Sequence, residues 1–153
     1  VRQYPLAAER KEIEFVCAYD TGSGSTVEAD PTALKQVLDN LLSNAIKFSP
    51  SGRSIHVAVA PIKGDCVECR IRDEGPGFTD EDKLHMFRRY ARLTARPTAG
   101  EPSTGLGLSI VKKLVEAMNG HLLLDSTLGQ GATFTVRLPK SRIAQRASAD
   151  TLL

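Results

Sequence analysis

From Pro31 to Phe48 the apolar residues Leu34, Leu38, Leu41 and Ala45 recur at i, i+4, i+7 and i+11, and Val37, Leu42 and Ile46 widen the stripe. That spacing predicts a helix with one core-facing side. Asp30 is a good N-cap and Pro31 suits the first helical position, while Ser49-Pro50-Ser51-Gly52 stops the run. Shorter stretches alternate instead. Glu12 to Ala18, Ser54 to Ala60 and Cys66 to Arg72 predict strands, and His121 to Ser126 with Ala132 to Leu138 predict a hairpin around Leu128-Gly129-Gln130-Gly131. A short helix capped by Thr79 or Asp80 runs to about Phe87, and another runs from Gly105 to Met118 and ends at Asn119-Gly120. Val1 to Arg10 has weak helical character, and Thr21 to Ser25 reads as a turn. Arg88 to Thr104 has no period and is expected to be a long mobile loop. Past Pro139 the chain turns polar, so residues 141–153 are expected to be a disordered tail and 1–140 one domain. Strands and helices in mixed order predict an α+β fold, a two-layer α/β sandwich.

Composition narrows the function little but excludes several classes. Of the 153 residues, Lys and Arg total 20 and Asp and Glu 18, so the formal net charge is +2. A nucleic-acid binder that works by charge is not indicated. No apolar run approaches the roughly 18 residues that span a bilayer, so this segment is expected to make no membrane contact. Three cysteines, Cys17, Cys66 and Cys69, cannot all pair within the chain, which favours a reducing, cytoplasmic setting. Cys66 and Cys69 have C-x-x-C spacing, but residues three apart on a strand point to opposite faces, so small core side chains are expected rather than a zinc site.

Three stretches could carry chemistry. On the long helix Gln36, Asn40, Asn44 and Lys47 occupy the polar side. At about 100° per residue, Asn44 lies about 40° from Asn40 and Lys47 about −20°. Amide oxygens suit a hard cation and an ammonium suits phosphate, although a solvated helix face would look the same. Asp73-Glu74-Gly75-Pro76-Gly77-Phe78 follows a strand, where a carboxylate could accept from an exocyclic amine; a plain turn is the alternative. Ser103-Thr104-Gly105-Leu106-Gly107-Leu108-Ser109 leads into a helix whose first N–H groups suit phosphate; a helix start with incidental glycines is the alternative. It is no P-loop, since Leu106 and Gly107 stand where Lys and Ser/Thr are required. The dinucleotide fingerprint also fails, because its third glycine would fall at Asp80 or at Ile110.

Together these stretches resemble the sensor histidine kinases. Asn40-Leu41-Leu42-Ser43-Asn44-Ala45-Ile46-Lys47-Phe48 is similar to their N box, Asp73-x-Gly75-x-Gly77 to their G1 box, Phe87 to their F box, and Gly105-Leu106-Gly107-Leu108 to their G2 box. The hairpin with Gly129, Gly131, Thr133 and Phe134 resembles the family's closing strands. The match runs from about Pro31 to Pro139 in the family's order.

The resemblance implies the Bergerat ATP-binding fold shared with DNA gyrase, the heat-shock chaperones of that fold and MutL, with a mixed, mainly antiparallel sheet and helices on one face. It implies ATP and Mg²⁺ as ligands. Asn44 would hold the metal, Asn40 and Lys47 would contact phosphate or metal-bound water, and Asp73 would accept from the adenine amine. Gly75 and Gly77 would shape the adenine pocket, and Phe48 and Phe78 belong to the implied ATP site. So do Thr104, Gly105, Leu106, Gly107 and Leu108, whose backbone would approach the phosphates. Arg89 and Arg92 are further candidates for the γ-phosphate. Asn40, Lys47 and Arg92 are thereby the implied catalytic residues. The surrounding Arg88-Arg89-Tyr90-Ala91-Arg92 departs from the family's acidic-aromatic pattern, and an exposed basic helix end is the alternative reading.

Hydrolytic relatives carry a glutamate where this chain has Asn40. An amide is no general base at neutral pH, so slow hydrolysis is implied and ATP is kept for a better nucleophile. The same residue argues against the anti-sigma-factor serine kinases. His56, His85 and His121 lack the family's following glutamate, so the accepting histidine is expected on a dimerisation and phosphoacceptor domain of the same parent, with a response-regulator receiver domain downstream. His56 and His121 are expected at or near the surface and His85 on a helix surface. The stretch Arg96 to Ser103 is expected to be poorly ordered without nucleotide, and the isolated domain to be monomeric. A catalytically silent nucleotide sensor and a hydrolase of the same fold are the rival functions.

Overall fold

The structure, a computed structural model, describes residues 4–20, 26–99 and 105–142. Its elements are α1 (Tyr4–Arg10), β1 (Glu14–Tyr19), α2 (Pro31–Phe48), β2 (Ser54–Ile62), β3 (Cys66–Asp73), α3 (Asp80–His85), α4 (Gly107–Ala117), β4 (His121–Ser126) and β5 (Ala132–Pro139). The strands form one sheet in the order β1-β2-β3-β5-β4. β1 and β2 run parallel; the other pairs are antiparallel. This is the expected mixed, mainly antiparallel sandwich.

Local chemistry explains the helix bounds. The Asp30 carboxylate accepts from Thr32 N at 2.8 Å and Ala33 N at 3.0 Å, so α2 starts where the sequence placed it. Thr79 and Asp82 form a reciprocal capping box at α3. At the far end of α4, Asn119 turns left-handed with φ 56°. Val37, Leu41 and Ala45 of α2 meet Val111 and Val115 of α4 above Ile55, Ile71, Phe134 and Val136 of the sheet. Burying each of these side chains larger than Ala45 contributes roughly 1.5–3 kcal/mol. On the opposite face Arg70, Arg72 and His56 are exposed, and the buried Glu68 carboxylate accepts from Arg137 and Arg70.

Some expectations shift. β1 begins at Glu14 because Glu12 takes φ 53° and Ile13 N closes onto Ala8 O at 2.9 Å. Its six residues are all exposed, since this edge strand pairs only with β2. Residues 140 and 141 do not fray: Lys140 N donates to Asp65 O and Ser141 N to Thr26 O, both at 2.8 Å. The rest of the expected tail, 143–153, and the expected turn at Thr21 to Ser25 lie outside the described residues. Cys69 packs on the core, whereas Cys66 is half-buried at the strand start and outside it. Burial pushes the Cys69 thiol up to about 11. Among the described residues no cluster of three or more metal-ligating side chains occurs, and no helix is long and apolar enough to cross a membrane.

Candidate nucleotide site

The polar side of α2 opens on a cavity of about 430 Å³, within the roughly 300–1,000 Å³ typical of ligand pockets. Asn40, Asn44, Lys47 and Phe48 line it from α2, and Gly105, Gly107 and Leu108 line it from the start of α4. Across the gap, a Cβ placed on Gly107 would lie 3.6 Å from Asn40 Oδ1. Among the described residues no side chain caps the N-terminus of α4, and Ser109 Oγ donates to Leu106 O at 2.8 Å. The first N–H groups of that helix therefore stand opposite two amides and an ammonium. This donor set fits a polyphosphate, and the Asn44 amide oxygen fits the metal that accompanies one.

A second cavity of about 770 Å³ opens beside the first, lined by Gly75, Gly77, Thr79 and Leu128. Two residues before Gly75 and outside both cavity linings, β3 ends at Asp73, which is buried (4% exposed). Asp73 Oδ1 accepts from Gly75 N at 2.9 Å. Burial pushes its carboxyl up to about 6, against the pull of the Gly75 and Ala132 N–H groups. The loop after Asp73 is tied to the β4–β5 hairpin. Phe78 N donates to Ser126 Oγ at 2.9 Å, Ser126 Oγ donates to Gly131 O at 2.8 Å, and Gly129 N donates to Pro76 O at 2.6 Å. Gly131 (φ 80°) lies so close that an added Cβ would sit 2.1 Å from Asp73 O.

The raised carboxyl makes stability depend on pH. Asp73 gives up its proton near pH 4 when unfolded and at about 6 when folded, so the native state holds the extra proton between those values. The stability tied to the neutral form is complete below about pH 4 and lost as pH rises through about 6, an effect of about 3 kcal/mol. Denaturant unfolding at pH 4.5 and pH 7 of the chain and of its Asp73→Asn variant checks this. The parent is expected to lose more stability than the variant over that interval.

Ala95, Arg96 and Pro97 line both cavities and form the wall between them. The sequence suggested mobility here; the described part, residues 88–99, is pinned. Tyr90 N donates to Gly105 O at 3.0 Å, joining the two ends of the loop. Thr94 donates to the buried Asp82 carboxylate through its N–H (2.8 Å) and its hydroxyl. Burial opposes ionisation of Asp82, but these hydrogen bonds and those from Thr79 outweigh it and hold the carboxyl below its usual range. Thr98 N donates to Lys47 O at 2.9 Å, and the Lys11 ammonium reaches Thr98 Oγ1 at 2.8 Å. Residues 100–103, the remainder of the stretch expected to be poorly ordered, lie outside the described residues.

The structure thus gathers Asn40, Asn44, Lys47, Phe48, Arg92, Gly105, Gly107 and Leu108 on one cavity and Gly75 and Gly77 on its neighbour. Arg89 is exposed and, with Leu106, outside both linings. Phe78 is buried in the core, edge-on between Phe48 at 5.7 Å and Phe134 at 6.2 Å. Thr104 lies outside the described residues. His56 and His121 are exposed, whereas His85 is half-buried, with Nδ1 buried and without a partner among the described residues. Sequence reading missed Arg96, Asp82, Thr94, Thr98 and Lys11. Asp82 had a local signal only as a cap, and Lys11 and Thr98 lie 87 positions apart with no pattern to join them.

Comparison with known proteins bears on this arrangement. Residues 29–142 match the family described as histidine kinase-, DNA gyrase B-, and HSP90-like ATPase. The chain is 36% identical over 152 residues to the virulence sensor protein BvgS of Bordetella bronchiseptica, covering 97% of this chain and 12% of that protein. It is 36% identical over 131 residues to the sensor histidine kinase RcsC of Escherichia coli, covering 85% and 14%. The chain thus spans a small part of these sensor proteins. Among solved structures, the mycobacterial sensor histidine kinase MprB superposes with a TM-score of 0.75 at 29% identity, covering 91% of each chain. Full-length ShkA, solved in complex with AMPPNP, gives 0.72 at 31% identity over 89% of this chain and 27% of that one. A matching family over most of the chain, sensor kinases among its sequence relatives and kinase domains among its structural neighbours lead to one conclusion: the chain belongs to the histidine kinase-, DNA gyrase B- and HSP90-like ATPase family, in its sensor histidine kinase branch.

Proposed function

We propose that this chain binds Mg-ATP across the two cavities and presents the γ-phosphoryl group to a histidine on a dimerisation and phosphoacceptor domain of the same parent protein. A response-regulator receiver domain would then take the phosphoryl group. The observation that carries this reading is the first cavity, where Asn40, Asn44 and Lys47 face Gly105, Gly107 and Leu108 at the start of α4. Residues 1–140 would work as one nucleotide-binding domain, monomeric when isolated, with no nucleic-acid partner. A need for ATP and an odd number of cysteines, three, support a cytoplasmic setting.

Each residue has a physical task in this reading. Asp73 accepts from the exocyclic amine of adenine, and guanine, with an oxo group there, leaves the carboxylate without a donor. Gly75 and Gly77 would keep that pocket open, while Phe48 lines the adjoining cavity and Phe78 backs them from the core. The Asn44 amide oxygen would hold Mg²⁺, which when bound offsets the charge of the phosphates. Lys47 and Arg92 offset further phosphate charge, and Asn40 orients the phosphate without acting as a base. Arg89 would come to the γ-phosphate from outside the cavity wall. Backbone N–H groups of Gly105, Leu106, Gly107 and Leu108 would complete the phosphate cradle, with Thr104 a further candidate. Catalysis is then mainly positioning and charge neutralisation for in-line transfer. A P–N bond to the histidine forms as the γ-phosphorus–oxygen bond breaks, and ADP leaves.

Mixing the chain with its parent's phosphoacceptor domain and γ-labelled Mg-ATP tests the reading. Acid-labile phosphohistidine on that domain is expected, with little ATP turnover by the chain alone. Bound ATP without phosphohistidine would favour a silent nucleotide sensor, and fast turnover by the chain alone would favour a hydrolase.

A further inference from the structure

We propose that Lys11 is a positioning residue of the nucleotide site: one buried ammonium holds the last turn of α2 and the wall between the two cavities in register. The inference rests on the ATP reading above and adds a residue outside the matched segment, which begins at residue 29.

Lys11 is 5% exposed and lies in the turn between α1 and β1. Its backbone is held on both sides: its N–H donates to Ala8 O at 3.2 Å, and its carbonyl accepts from Gly52 N at 2.8 Å. From there the ammonium crosses to α2 and donates to Ile46 O at 2.8 Å and Lys47 O at 3.0 Å, with Ser49 O 3.5 Å away. It also donates to Thr98 Oγ1 at 2.8 Å. Thr98 returns to the same carbonyls, with Oγ1 2.8 Å from Ser49 O and 3.2 Å from Lys47 O and its N–H 2.9 Å from Lys47 O.

The placement follows from helix physics. The final carbonyls of a helix lack intrahelical donors and carry partial negative charge, so a cation there is favoured. A lysine is buried at a cost unless its hydrogens are used, so this one is fixed where those acceptors converge. The consequence reaches the site. Asn44 and Lys47 line the first cavity from the turn whose carbonyls Lys11 holds. Pro97, next to Thr98, lines both cavities. Asp82 holds the other end of that wall at Thr94, so two buried charges of opposite sign pin five residues. The phosphate wall and the dividing wall therefore share one cation, supplied by a segment that precedes the matched family residues. Displacing that segment moves both walls together.

The test uses the 153-residue chain with Lys11→Met, Thr98→Val, the double variant and Thr98→Ser. Lys11→Met is expected to weaken Mg-ATP binding about tenfold and Thr98→Val somewhat less, with the double variant within about twofold of Lys11→Met because both break the same hydrogen-bond network. Thr98→Ser keeps the hydroxyl and is expected to bind within about twofold of the parent. Without nucleotide, Lys11→Met is expected to speed hydrogen exchange at the Thr98 amide about tenfold and leave β3 and β5 unchanged, which a general loss of stability would not do. Unchanged or tighter binding in Lys11→Met, additive losses in the double variant, or unchanged exchange at Thr98 would overturn the proposal. Should Lys11→Met fail to fold, equal affinities for Thr98→Val and Thr98→Ser would overturn it. Should the parent chain bind no Mg-ATP, the ATP reading fails, and exchange at Thr98 still decides whether Lys11 positions the wall.

Discussion

Asp73→Asn is expected to weaken Mg-ATP binding by about a hundredfold or more, the largest functional loss any single side chain in this site should produce. The carboxylate has two acceptor oxygens, and Oδ1 is already engaged by Gly75 N at 2.9 Å. An asparagine that keeps this bond turns its NH₂ to the other position. A donor would then face the adenine amine, itself a donor, at a position that is 4% exposed, where solvent does little to relieve the mismatch. Guanine presents an oxo group to that NH₂, so the preference for ATP over GTP should shrink in the same variant. The pH behaviour adds a second signature. Because burial raises Asp73 to about 6, adenine binding by the parent should weaken as pH falls through that value. Adenosine, which has no phosphate titrating there, is the ligand to use. Calorimetric titration of both forms with ATP, GTP and adenosine measures all three effects, and parental affinity in the variant would end the assignment of Asp73 to the adenine.

Gly131→Ala is expected to cost about 3–5 kcal/mol of stability, a drop in melting temperature on the order of 10 °C. Two causes combine. With φ at 80° the position is strained for any residue with a Cβ, and that atom would lie 2.1 Å from Asp73 O. The contact partner is backbone on the strand that carries Asp73, so relief requires moving the strand end. Gly129 separates the causes: its φ is 83°, but an added Cβ meets nothing within 4 Å. Gly129→Ala should cost only about 1 kcal/mol. Thermal unfolding of the two variants decides, and equal losses would show that the approach to Asp73 O is unimportant. If the clash dominates, Gly131→Ala should also weaken ATP binding, because the displaced strand end holds the adenine acceptor.

Much of this was legible in the chain. The α2 stripe and the Asp30 cap are local signals, and the helix forms from Pro31 to Phe48 as they require. The amides of that helix fall on one cavity because a 3.6-residue period fixes which side chains share a face. The order of the four boxes points to the family on its own, and Gly107, which lines the first cavity with Gly105, lies across from Asn40. The loop from 88 to 99 misled because it has no period, and absence of period reads as mobility. Its order comes from Asp82 and Lys11, which lie elsewhere in the chain.

By itself, then, the sequence determined the elements, their faces and the chemical character of the site, because caps, periodicity and turn residues act over a few positions. Only the tertiary structure decided that Asp73 is buried enough to hold its proton to about pH 6, that Gly131 presses on its carbonyl, and that Lys11 closes α2 against Thr98. Those depend on dielectric surroundings and on contacts between residues tens of positions apart, and neither exists until the chain has folded.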